Sequence, residues 1–383
     1  MSQGAARVSW LLLGSLTALG PLAMGVHVPA LTPIAAGIGE TASNTQLSVP
    51  VFIVALGLGM FGAGAIQDRV GLRISSVVGL LIFVLGAVLT GTAASLWSLL
   101  VGRALVGFGA AFSIMAPRVA VASHSAEITA DLARLAAIQS AAPALAPLLG
   151  AAILTWLDWR WTFLVPGAKA AVLLVPAAHS LPQRRQPTED VPAMSAASFA
   201  WIGSPGWLLP AVEIALVTLV FLVFLAQTSN LLVAPLGLNP SGVGFVLALT
   251  GVAFVAGSLA LVRTRNAPRL QRASRLAFLG AMVLLVIGGS SLLLWTVGLI
   301  VYALANGVLI PSAFGAITRA VSGSTGQALG AASALQMLVG AAGGAAANAV
   351  GGLTPVTFGL TGAAIALVVL ALSSTNAGRV QPT

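Results

Sequence analysis

The sequence predicts an all-α membrane protein with twelve transmembrane helices in two six-helix halves. Three observations predict it. The 383 residues are 58% hydrophobic and 7% charged, with a mean hydropathy of +1.04, whereas soluble globular chains carry about 25% charged residues. Apolar runs of the length that crosses a bilayer as a helix, roughly 20 residues, recur along the whole chain instead of once at the start as in a cleaved leader. A polar interlude rich in Pro and Ser, His179 to Gly206, falls near the middle. Barrel strands would be shorter and would alternate polar with apolar, which these runs do not.

In order, the spans are placed at 9–31, 46–66, 73–93, 96–118, 132–156 and 161–181, and then at 207–228, 241–262, 276–294, 296–318, 328–350 and 354–373. The division is therefore 1–181, a linker at 182–206, and 207–383. Basic residues are held on the cytoplasmic side of short loops. With the N-terminus inside, Arg7, Arg69, Arg73, Arg118, Arg134, Arg184, Arg185, Arg263, Arg265, Arg269, Arg272, Arg275, Arg319 and Arg379 fall on that side, 14 of the 17 basic residues. Arg160 falls outside, and Arg103 and Lys169 fall within spans. One missed or invented helix would scatter these charges, so the count supports the spans and puts both termini inside.

The net charge of +9 is thus mostly topology. Nucleic-acid binding calls for a basic patch with aromatics or a docking motif, and the 263–275 arginine cluster has neither. It reads as a cytoplasmic loop held by anionic lipid, so nucleic acid is not an expected partner. The absence of cysteine excludes disulfides and thiolate metal sites. Ser, His and acid residues are too scattered for a catalytic triad. His27, His124 and His179 lack metal-ligand spacing, and no glycine-rich loop follows the nucleotide-binding pattern. The expectations are no enzyme, no cofactor and no metal, with transport driven by an ion gradient or running downhill. Two matched six-span halves are the layout of transporters whose solute site lies between the halves near the midplane.

Between spans two and three stands "GAIQDRVGLR". Gly71 suits a tight turn, and Asp68, at the end of span two, is placed to pair with a base or to cap a neighbouring helix N-terminus. The repeat puts "LVRTRNAPRLQRASR" at the matching turn between spans eight and nine. The first of these turns resembles the loop signature of the major facilitator superfamily, G-x-x-x-D-R-x-G-R-R, through Gly64, Asp68, Arg69, Gly71 and Arg73, with Leu72 in place of one arginine. A clasp of this kind can hold in one state of a rocking bundle and break in the other.

Other segments resemble the bicyclomycin/chloramphenicol-resistance (Bcr/CflA) branch of its drug:proton antiporters. They are "LTALGPLAMGVHVPALTPIAAGIG" with "TQLSV", "VGRALVGFGAA" with Arg103, Gly107 and Gly109, "AAPALAPLLGAAI" with Pro143, Pro147 and Gly150, "WRWTF", "NGVLIPSAFGAI" and "GAASALQMLVGA". The resemblance covers about 9–350. It implies a monomer in the inner membrane of a bacterium that exports small drugs or metabolites against protons by alternating access. The prolines remove backbone donors, and small residues permit close helix approach.

One departure matters. The branch carries an aspartate in span one where this chain has Gly25. His27 follows, with an ordinary pKa of about 6.5, but two positions along a helix is roughly 200° of rotation. Of eight acids only Glu213 lies inside a span, which makes it the alternative proton carrier. Arg103 is an intramembrane cation that must point inward to an acceptor, an anionic substrate or backbone carbonyls. Gln227, fourteen positions after Glu213, falls within about 40° of the same helix face. Tyr302 and Asn306 at i and i+4 on span ten, with Gln336 in span eleven, complete the candidate solute and proton pathway. A mostly apolar cavity with few fixed charges suits lipophilic, neutral or weakly cationic compounds. The alternatives are a proton-independent facilitator of a small metabolite, or a transporter-like receptor that moves nothing.

Overall fold

In the computed structural model, residues 8–183, 201–289, 291–321 and 323–377 are described. Arg7, Arg184, Arg185, Glu189, Asp190 and Arg379, and most of the expected linker, lie outside them. Among the described residues there are helices and turns and no strands. Twelve helices are long and apolar enough to cross a membrane. We label them α1 (Trp10–Ile38), α2 (Ala42–Val70), α3 (Leu72–Gly91), α4 (Leu96–His124), α5 (Ile128–Trp156), α6 (Trp161–Ser180), α7 (Pro205–Ala226), α8 (Gly242–Arg263), α9 (Ala267–Gly288), α10 (Leu292–Ala320), α11 (Thr325–Ala349) and α12 (Pro355–Leu372). Their number and order are those read from the sequence.

Several helices run past the expected limits, and at the end of α2 and the start of α9 the excess carries charge. Helix α2 continues through Asp68 and Arg69, leaving Gly71 alone as the turn. Its φ of 87° is a conformation only glycine adopts freely. Helix α4 continues to His124, which puts Arg118, the last residue of the expected span, inside the helix and buried. Arg134 lies in α5, within the expected span of 132–156. Arg269, Arg272 and Arg275 occupy the first turns of α9 where a loop was expected. Hydropathy windows close where charge begins, whereas a helix ends where its last carbonyls or first N–H groups find other partners. Ser95 and Asn239 show this at the starts of their helices. Ser95 Oγ accepts from Ser98 N–H and Ser98 Oγ from Ser95 N–H, while Asn239 Oδ1 accepts from Gly242 N–H.

The chain forms two compact units. In the first, α4 packs on α1, α2 and α3, and α6 packs on α1 and α3. In the second, α10 packs on α7, α8 and α9, and α12 packs on α7 and α9. The pairings repeat with an offset of six helices. Glycines make both central helices fit: a Cβ at Gly107 would meet the Phe52 carbonyl of α2, and one at Gly307 the Phe254 carbonyl of α8. Lipid tails are as apolar as Leu, so close backbone contact is what holds such pairs together. Leu11, Leu85, Leu148, Val172, Leu293 and Leu360 face outward, as a lipid solvent allows. Two helices are shared. Residues Glu127–Ser140, the start of α5, pack in the second unit and the rest of α5 in the first, while Val321–Ala334, the start of α11, packs in the first unit and the rest in the second.

Candidate functional site

His27 stands where the regular helix Trp10–Gly25 gives way to a tighter turn, Val28–Ala30, before α1 resumes. It and Arg103 are both wholly buried, at 0% exposure. Arg103 Nε donates to the Ser48 carbonyl at 3.3 Å and Nη1 to the Ala23 carbonyl at 3.2 Å, while Nη2 has no partner. The guanidinium carbon lies 4.5 Å from the centre of the Phe52 ring and 5.9 Å from that of Phe163. Phe163 in turn lies 5.6 Å from the His27 ring, neither of whose nitrogens has a hydrogen-bond partner of good geometry. These two candidates are therefore brought together around Phe163. Among the described residues no carboxylate forms an ion pair with Arg103.

Helix α5 lies close against this stretch of α1. A Cβ on Gly25 would stand 2.7 Å from Ala146 Cβ, and one on Gly150 would collide with the Val26 carbonyl. Pro143 and Pro147 lie inside α5, just past Ser140, where the helix passes from one unit to the other.

In the second unit the candidates separate. Glu213 is engaged by Arg275 in a two-pronged ion pair, Nε to Oε1 at 2.7 Å and Nη2 to Oε2 at 3.0 Å. Both side chains are mostly buried, so this charge is already matched. Gln227 does not share a site with Glu213, because fourteen helical residues separate them by about 21 Å along the axis. Gln227 gathers Asn348, Asn230 and the Leu353 N–H instead. Tyr302 and Gln336 do converge, on successive residues of α7: Tyr302 OH donates to the Val217 carbonyl at 2.7 Å, and Gln336 Nε2 to Thr218 Oγ1 at 2.8 Å. Asn306 Oδ1 and Gln336 Oε1 are buried without a donor. Thr218, Asn230 and Asn348 escaped sequence reasoning, since a lone Thr or Asn in an apolar run looks like any other.

The loop signature resolves into two contacts within the first unit. Asp68 accepts from the N–H groups of Gly326 at 3.0 Å and Gln327 at 2.8 Å, so its carboxylate caps the start of α11, where free N–H groups and the helix dipole favour an anion. A Cβ on Gly64 would overlap the Gly326 carbonyl. Arg73 donates to the carbonyls of Leu181 and His179 at the end of α6. Two arginines not singled out for contact in the sequence make similar contacts, one in each unit. Arg118 of α4 donates to Ser333 of α11 at 2.8 Å. In the second unit, Arg319 of α10 donates to Thr129 of α5 at 2.9 Å. In both, an arginine near the end of a central helix grips a hydroxyl near the start of a shared helix. Hydropathy carries no trace of this, although helical phase and the six-helix offset together would have pointed to it.

Among the described residues no three His, Asp or Glu side chains gather as a metal site. The Major Facilitator Superfamily model matches residues 13–345, most of the chain. The chain belongs to the Major Facilitator Superfamily. It is accordingly a multi-pass membrane transporter rather than an enzyme.

Relatives of this superfamily member include a Bacillus subtilis protein described as an uncharacterized MFS-type transporter, YdgK, 24% identical over 280 residues that cover 71% of this chain and 70% of that protein. A chloramphenicol resistance protein of Pseudomonas aeruginosa is 30% identical over 156 residues, 40% of this chain and 37% of that one. The crystal structure of the human organic anion transporter MFSD10 superposes with a TM-score of 0.77, at 20% identity, over 97% of this chain and 100% of that chain. That likeness concerns the fold.

Proposed function

We propose that this superfamily member exports small amphipathic drugs or metabolites across the cytoplasmic membrane of a bacterium, by proton antiport with alternating access, as a monomer of the Bcr/CflA type with both termini inside. The chain would work as the halves 1–181 and 207–383, joined by a cytoplasmic linker at 182–206. The observation that carries the reading is the Asp68 cap on α11. Two charge-assisted hydrogen bonds onto free helix N–H groups are strong enough to hold a state, and a hinge or slide of α11 would release them. Partial identity to a chloramphenicol resistance protein supports drugs as substrates, and so do the predominantly apolar helix faces. His27, buried beside Arg103, is the titratable candidate for the proton, and Tyr302, Asn306, Gln336 and Gln227 are candidates for contact with solute.

A second reading, proton-independent export, is favoured by one feature: Gly25 offers no carboxylate in α1, and the intramembrane Glu213 is tied to Arg275. Expression in a pump-deficient bacterium, with resistance scored across drug classes that include amphenicols, tests the proposal. Resistance to at least one class is expected, together with loss in Arg103→Ala and in His27→Ala. No resistance to any class, or full resistance in both variants, contradicts it.

A further inference from the structure

The first unit holds a buried positive charge that nothing described in the protein neutralises. The Arg103 guanidinium is always protonated and has no contact with solvent. Its partners are two backbone carbonyls and two aromatic rings. These dipoles and π-faces offset part of the desolvation cost, but an unpaired ion in a low-dielectric core remains expensive. Beside it lies a cavity lined by Ala23, Phe83, Ala87, Arg103, Thr162 and Phe163, on four helices. It has room for about one water-sized particle. Arg103 Nη2 has no partner, and the Thr162 hydroxyl is turned to the Trp159 carbonyl at 2.6 Å.

We propose that this cavity is an anion site, taking a single chloride ion, with Arg103 as its anchor. A water there would satisfy the free N–H but leave the charge, whereas a monovalent anion does both. A cation is repelled and a large anion does not fit. His27 lies against the Phe163 ring, 5.6 Å between ring centres, and is not among the residues that line the cavity. The site extends the transporter reading without depending on it, because it needs only the buried charge and the space.

The test uses the full chain, purified in detergent in a gluconate buffer whose anion is too bulky for the cavity. Thermal unfolding is followed as chloride or bromide replaces gluconate at constant ionic strength. Saturable stabilisation by a few degrees is expected. It should persist in Arg160→Gln, an exposed basic control, and disappear in Arg103→Gln. Absence of any anion response in the unsubstituted chain, or the same response in Arg103→Gln, overturns the proposal. Should Arg103→Gln fail to fold, equilibrium dialysis of the unsubstituted chain with radioactive chloride decides: saturable binding supports the site and its absence refutes it. Bromide is expected to compete with chloride, whereas equal competition by formate, with three heavy atoms, would overturn a one-ion site.

Discussion

Gly25 shows how one residue sets what its neighbours have to do. An acid there would be the natural partner for Arg103, but the Cβ it needs would stand 2.7 Å from Ala146 Cβ, closer than two carbons tolerate. Helix α5 occupies the space that a side chain would take. Gly25→Asp is therefore expected to destabilise the protein by about 1–3 kcal/mol, the usual cost of overpacking, and to lower its melting temperature without raising proton coupling. Pairing it with Ala146→Gly should recover much of the loss, and a melting curve of Gly25→Asp identical to that of the unsubstituted chain would refute the close contact. The departure at Gly25 was legible in the sequence because a motif made it conspicuous. Its structural consequence was not, since the partner lies 121 residues away on a helix whose rotation no local pattern fixes. Glu213 teaches the converse. Sequence marked it as the sole acid within a span, but its partner Arg275 was assigned to a loop, so the pair was invisible until α9 was seen to begin at Ala267.

At the scale of helices, α11 is held at its start by an acid from α2, a base from α4 and the near-contact of Gly64 with Gly326. Replacing Asp68 by Asn removes the charge but keeps an acceptor. Hydrogen bonds to a charged group contribute about 1.5–3 kcal/mol, and neutral ones about 1. The capped state should lose roughly 1 kcal/mol, a several-fold shift in population. Turnover in Asp68→Asn is then expected to change several-fold at an unaltered KM; an altered KM with normal turnover would place Asp68 on the solute path instead. The chain has no cysteine, so crosslinks can be built without first removing any. The pairs Arg118→Cys with Ser333→Cys, and Arg319→Cys with Thr129→Cys, should each stop transport when oxidised and restore it on reduction. Transport that continues through a formed crosslink would show that the contact does not open. The existence and order of all twelve helices were legible because hydropathy reports burial in lipid directly. Their polar ends were not, because capping depends on partners from distant sequence.

For the whole molecule, the repeated pairings of α1, α2, α3, α4 and α6 in α7, α8, α9, α10 and α12 agree with two related six-helix sets. The basic-residue count supports the proposed orientation, with both termini inside. Single cysteines introduced near Arg265 should be labelled by a membrane-impermeant reagent only in inverted vesicles, and one next to Arg160 only in intact cells; the reverse pattern would place the N-terminus outside. The central claim is that solute leaves at the expense of a proton gradient, and the most direct measurement is efflux of a preloaded substrate drug from cells expressing the chain, with and without a protonophore. The account predicts that export above the vector control disappears when the gradient collapses, whereas export that continues undiminished would contradict it.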